Sequence, residues 1–383
     1  MRLALFIVLF ANMVPIFVGI ASYRILIGPF SSSYVTYTLL FWALAALVFY
    51  KFCANPMRRL LEMLQIDIRS RSFGRLLIFV SIILIFGNSG WLLSAREAGI
   101  DNRGIIFKIF FLFEDVLFIA FILTVYSAFM DPSVRRVTGL AVIGFVMMTV
   151  FGRFGVICSA ALVLVLIGMD RKLLTGRMLV TVTSVILLTT VATTLVEATR
   201  MDAVKNTSLW SALGDRVGEM ATLSVVDHIF SQENFDGFSG FGNLIYLYAP
   251  SIVFPEKPII NDGSVFLLEA YSLGVGENGT RFPIMLHVDS YRRFGWGGIV
   301  VALLPALLFR LLVNFTYYLW SQLRVPFLGL ALLKYFVYIY PKSILGLIEI
   351  GLYTYIRSSI VILLVYFIYC VLLRYFPVQR ALR

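Results

Sequence analysis

The sequence predicts an all-α polytopic membrane protein of about ten transmembrane helices with one large extracytoplasmic loop. Three observations predict it. The 383 residues are 60% hydrophobic and only 14% charged, whereas soluble domains are about 25% charged. Apolar runs recur near the length of about 20 residues that crosses a hydrocarbon core of about 30 Å. These runs are long rather than alternating, which in lipid means helices and not barrel strands. One polar stretch, Glu197 to Gly295, interrupts the pattern and holds both histidines, His228 and His287, and twelve of the 21 acidic residues.

The expected spans are roughly 3–23, 33–53, 76–94, 107–129, 137–152, 154–169, 178–196, 296–318, 326–345 and 354–375. Three regions follow: membrane helices in 1–196, the outer loop in 197–295, and membrane helices in 296–383. The first run begins at Met1-Arg2, and Gly19-Ile20-Ala21 offers a small-x-small cleavage site. The run continues through Ile25-Leu26-Ile27, so an uncleaved first span is the preferred reading. The fifth and sixth spans share Phe151-Gly152-Arg153-Phe154-Gly155. One reading is a single long helix with a buried arginine. The preferred one is a pair of short helices turning at the glycines, because about 32 residues exceed one crossing and glycine permits a tight turn.

The net charge of +11 raises nucleic acid as a partner, but its distribution excludes that class. Lys51, Arg58, Arg59, Arg69, Arg71 and Arg75 cluster around the second loop. Arg135-Arg136, Arg171-Lys172 with Arg177, Arg324 and the tail arginines recur in alternate loops. With ten spans these fall on one side together with Arg2, so both termini are cytoplasmic. The opposite short loops hold Arg24, then Arg96 and Arg103. The long loop lies on this outer side, with seven Lys/Arg against twelve Asp/Glu. The three cysteines (Cys53, Cys158, Cys370) lie in or beside apolar runs, with no disulfide framework or metal-ligand spacing.

Within the loop, Trp210, Leu213, Val217 and Met220 repeat at helical spacing, which predicts an amphipathic helix on the membrane surface. The segment Phe235-Asp-Gly-Phe-Ser-Gly-Phe-Gly242 predicts an irregular, turn-rich interfacial stretch. No internal repeat of fixed period is visible.

Two groups of residues carry the chemistry. The first is cationic: Arg153, Arg200 and Arg281, followed by Lys257, Arg292 and Arg293. Arginine near a bilayer is costly and often marks a pathway or site, and its fork matches phosphate oxygens in two-point contact. The plainer alternative for Arg200, Arg292 and Arg293 is anchoring of helix ends at headgroups. The second group is acid/base. His287 and Asp289 lie two residues apart beside Arg292-Arg293, just before the eighth span. Histidine titrates near ambient pH, as a general base requires, and Asp289 either orients it or acts itself. Glu197 precedes Arg200 by three residues on one helix face and either orients it or serves as a second base. The plainer alternative for His287 is a solvated loop histidine, and His228 reads as structural or solvated. Glu114 and Asp115 interrupt the fourth span and are expected to pair with Lys108, Arg310 or Lys334. No nucleotide loop, H-E-x-x-H or G-x-S-x-G motif occurs, and no metal or cofactor is expected.

The order of parts resembles the Wzy-type polysaccharide (O-antigen) repeat-unit polymerases of bacteria. The turn at Gly152-Arg153-Phe154, the proline-bounded Ala249-Pro250 to Lys257-Pro258 stretch, and the entry His287 to Gly298 through Tyr291-Arg-Arg-Phe294-Gly295 carry the resemblance. It covers most of the chain in layout and about thirty positions in residues. Some members place Gly eleven residues after each loop arginine; here Ser211 follows Arg200 and Arg292 follows Arg281 at that distance. The resemblance implies a GT-C-like glycosyltransferase in the bacterial cytoplasmic (inner) membrane. It would move a growing glycan from undecaprenyl pyrophosphate to a hydroxyl of a fresh lipid-linked repeat unit on the outer face. Its implied partners are that donor and acceptor, membrane lipid and a chain-length regulator. Arg153, Arg200 and Arg281 would hold pyrophosphate with Lys257 nearby, and His287 or Asp289 would face the acceptor hydroxyl. Tyr246, Tyr248, Tyr271 and Tyr291 are candidates for stacking on sugars. The alternatives are an O-antigen ligase using the same donor, a lipid-linked sugar transporter or flippase, and a non-catalytic scaffold.

Overall fold

The computed structural model describes residues 31–68, 226–246, 284–329, 331–332 and 343–375, with the isolated positions 13, 20, 21, 120, 121, 123, 124 and 139. Regular structure among them is helical, with no strand. Among the described residues, two helical stretches are long and apolar enough to cross a membrane, Ser32–Phe52 and Leu286–Leu323. The span pair around Arg153, the amphipathic segment from Trp210 to Met220, and the pairing of Glu114 and Asp115 lie outside the described residues.

Helix α1, Ser32–Phe52, starts at Ser31, whose side chain accepts the Tyr34 amide at 3.3 Å. This satisfies one of the amide donors left over at a helix start. The helix is apolar nearly all round, as a span or a buried helix is. Tyr34, Tyr37, Phe41, Trp42, Ala45, Val48 and Phe49 form its buried stripe, while Leu39, Leu40 and Leu47 remain exposed. Lys51 lies in the last turn, where its charge opposes the carbonyl end of the helix dipole.

Helix α2, Ala54–Ile68, occupies most of the segment expected as the second loop. Met57, Leu60, Leu61 and Leu64 recur at helical spacing and are buried, while Arg58, Arg59 and Glu62 are exposed. The cations that mark a loop in a charge count here form the polar face of an amphipathic helix.

Helix α3, Val226–Ser231, leads into turns at Gly237 and Gly240 and a 3-10 segment, Phe241–Tyr246. This matches the irregular stretch expected over 235–242. Helix α4, Leu286–Phe294, passes through a 3-10 segment, Gly295–Leu303, into α5, Leu304–Leu323. The expected boundary between loop and eighth span, 295/296, therefore falls inside one helical run. Gly295 ends α4 at φ 56, and a Cβ there would sit 2.6 Å from the Phe235 ring. At Gly298 a Cβ would collide with the Ser290 carbonyl and lie 2.7 Å from the Tyr37 hydroxyl. Helix α6, Ile344–Gly346, opens on Ser343 and continues as a π turn, Leu347–Leu352, into α7, Tyr353–Tyr375, which covers the tenth expected span.

The chain divides into two compact units. The first comprises 1–57, 175–311 and 335–354, and α1, α3 and α4 pack within it. The second comprises 58–174, 312–334 and 355–383. There, Arg59 donates to Asn314 Oδ1 at 2.7 Å and lies 5.2 Å over the Tyr317 ring. The Thr316 and Tyr355 hydroxyls meet at 2.7 Å. Asp67 accepts the Trp320 indole N–H at 3.0 Å and the Phe327 amide at 2.7 Å. Those two bonds brace a turn in which Arg324 and Phe327 both hold positive φ, 49° and 69°, a conformation disfavoured for bulky residues.

Candidate functional site

The acid/base segment of the sequence forms α4, and its polar side chains are buried. His287, Asp289, Ser290 and Arg293 are fully buried, and Arg292 is 3% exposed. Such a helix survives only if its polar groups find partners. Most do.

Asp289 is the hub. Its Oδ1 accepts Arg292 Nε at 3.0 Å and Nη2 at 2.7 Å. Its Oδ2 accepts the Ile344 amide at 2.8 Å and Arg293 Nε at 3.4 Å. Arg292 Nη1 reaches a second carboxylate, Asp236. Arg293 Nη1 donates to the carbonyls of Gly237 and Ser239 at 3.1 and 2.7 Å, and its guanidinium lies 5.4 Å from the Phe241 ring centroid. Asp236 and Gly237 return backbone amides to the Arg292 and Arg293 carbonyls at 3.3 and 2.9 Å. Two guanidiniums and two carboxylates cancel in charge, which is what makes the cluster tolerable in the interior.

This changes how three candidates read. Asp289, expected as a base or an orienting group, accepts four donors, and taking up a proton would dismantle the cluster. The described contacts of Arg292 and Arg293, expected to bind pyrophosphate, run to carboxylates, loop carbonyls and a ring. They pin the 236–241 turn to α4.

His287 differs. Its Nε2 lies 3.4 Å from the Tyr34 hydroxyl. The rings of Tyr34, Phe41 and Trp42 surround it at centroid distances of 6.0, 6.1 and 6.1 Å. Its Nδ1 is buried and meets no donor or acceptor among the described residues. An unmatched buried polar atom costs about 1–3 kcal/mol, and buried polar groups rarely go unpaired.

Tyr291 stacks on Phe230 at 3.8 Å and meets the Tyr37 ring edge-on at 5.0 Å, so one face is covered by Phe230. His228 is exposed on α3. Arg153, Glu197, Arg200, Lys257 and Arg281, with Tyr248 and Tyr271, lie outside the described residues.

The sequence reading missed Tyr34, Phe41 and Trp42, which wall the histidine, Tyr37, which meets Ser290, and Asp236, which completes the cluster. The i, i+3, i+7 spacing of Tyr34, Tyr37 and Phe41 was the available signal for an aromatic face. For Asp236, in a turn 56 positions from Arg292, the sequence offers none.

Together these observations define a protein whose regular structure is helical among the described residues, with two membrane-length helical stretches among them and a buried polar helix at the start of the second. No family model, curated protein or solved structure matches the chain.

Proposed function

We propose that this chain is a membrane glycosyltransferase of about ten spans and GT-C-like architecture. It would polymerise undecaprenyl-pyrophosphate-linked repeat units on the outer face of the bacterial cytoplasmic membrane. The layout resemblance supports the class. The observation that carries the site is His287: an imidazole with one unmatched buried nitrogen, at the start of a membrane-length helix, beside a charge-balanced cluster that fixes its helix.

In this reading His287 takes the acceptor hydroxyl proton through Nδ1. Asp289, Arg292, Arg293 and Asp236 hold α4 against the loop. Arg153, Arg200, Arg281 and Lys257 hold the pyrophosphate. Negative charge grows on that leaving group as the anomeric bond breaks, and preorganised cations stabilise it. Nδ1 is closed off from solvent, so the rings of Phe41 and Trp42 must part from it when an acceptor binds, as lids do in other enzymes.

The test is detergent-purified protein given lipid-linked repeat units alone. A ladder of longer products supports the reading. No ladder, with glycan moving readily to lipid A core, makes the chain a ligase. Neither product, with lipid-linked sugar crossing a vesicle membrane, makes it a transporter. A full ladder from His287→Ala discards the base assignment and leaves the class standing.

A further inference from the structure

Building on His287 as the proton acceptor, we infer that Tyr34 is the positioning residue that holds the imidazole by Nε2 and so presents Nδ1 for reaction. Its hydroxyl engages Nε2 and leaves Nδ1 as the bare, proton-accepting nitrogen.

Tyr34 is itself firmly placed. It stands in the first turn of α1, where the Ser31 side chain accepts its amide and the Ser31 amide is held by Asp227 Oδ1 at 3.0 Å. Its ring packs edge-on against Phe230 at 5.2 Å. One turn further on, the Tyr37 hydroxyl meets Ser290 Oγ at 2.8 Å, and Ser290 Oγ also lies 2.8 Å from the His287 carbonyl, to which it can donate. Two tyrosines of α1 thus fix the rotation of α4 at His287 and Ser290. The 3.4 Å from Tyr34 to Nε2 is long for such a bond, as catalytic contacts often are before substrate binds.

A neutral imidazole carries one proton on one of two nitrogens. A hydroxyl can donate or accept, so Tyr34 is compatible with either tautomer, but the consequence at Nδ1 differs. If Nδ1 carried the proton, a buried N–H would have no acceptor, and orphaned N–H groups are rarer than under-used acceptors. If Nε2 carries it and donates to the Tyr34 oxygen, Nδ1 holds only a lone pair. A general base needs that second form. The proton then passes from the acceptor hydroxyl to Nδ1 as the oxygen forms its bond to the anomeric carbon and the carbon–pyrophosphate bond breaks. The product is an imidazolium that later returns the proton to water.

The chain has only two histidines, so a 15N-histidine spectrum contains two imidazoles, and His228→Gln assigns them. The expected result is a protonated Nε2 and a bare Nδ1 at His287. Tyr34→Phe keeps the ring packing on Phe230 but removes the hydroxyl, and should mix the two tautomers without changing the melting temperature. In the ladder assay Tyr34→Phe should lower kcat by at least about tenfold, the low end for a group that orients a reacting side chain, with KM unchanged. It should add nothing to His287→Ala. A wild-type spectrum with a protonated Nδ1, or one unmoved by Tyr34→Phe, overturns the role of Tyr34. If the spectra behave as expected but His287→Ala still polymerises, the hold of Tyr34 on the ring stands and the base reading fails.

Discussion

Asp289 grips Arg292 from one turn away, its Oδ1 taking both Nε and Nη2 of the guanidinium at 3.0 and 2.7 Å. The carboxylate that looks in sequence like the partner of His287 is committed to the neighbouring arginines. Removing it strands two buried cations. We expect Asp289→Ala to cost about 3–5 kcal/mol, the range for breaking a buried ion pair, with Asp289→Asn in between. Melting temperature and ladder formation should fall together. A normal melting curve with activity lost would return Asp289 to the reacting group. Arg292→Lys should not be tolerated, because an ammonium cannot span Asp289 and Asp236 with the same fork.

Gly298 sits where α4 turns into the following helix. A methyl group there meets the Ser290 carbonyl and the Tyr37 hydroxyl. Gly298→Ala should destabilise by about 1–3 kcal/mol, as overpacking does, while Gly297→Ala, which meets nothing within 4 Å, should be nearly silent. Comparison of the two melting curves decides it.

Asp67 gives a pH dependence unconnected with the histidine. Burial pushes its carboxyl up from 3.8 to about 7, outweighing the opposing bonds from Trp320 and Phe327. The folded state therefore binds this proton more tightly than the unfolded chain does. Its contribution to stability is full below about pH 4 and is lost as pH rises through about 7. Melting temperature should drop across that window, with a change in Trp320 fluorescence at its upper end. Asp67→Asn should flatten this slope while costing about 1 kcal/mol for the hydrogen bond it forfeits.

Arg281→Ala should reduce polymer formation by about 10²- to 10³-fold, the loss typical of a donor that stabilises developing negative charge, whereas Glu114→Gln should be tolerated. The opposite pair of results would favour transport.

Composition and periodicity located several features. Ser32–Phe52, long and apolar enough to cross a membrane, coincides with the second expected span. Tyr353–Tyr375 is helical where the tenth is expected but has a shorter apolar stretch, Tyr355–Val371. The glycine-rich turns fall where Phe235 to Gly242 predicts them. These are local properties: a run of apolar side chains sets helix length in lipid, and glycine sets where the chain turns. The charge count could not show that Arg58 and Arg59 stand on the polar face of an amphipathic helix, Ala54–Ile68, because an arginine marks an irregular loop and such a face equally well.

The sequence by itself determined a helical chain built for an apolar medium, and that His287 and Asp289 lie two residues apart at the mouth of a long apolar helix. Only the tertiary structure decided that they do different things. Tyr34 lies 253 positions from His287, and Asp236 lies 56 from Arg292. What a buried imidazole or carboxylate can do depends on which donors and acceptors reach it. Those partners come from segments whose distance along the chain says nothing of their distance in space.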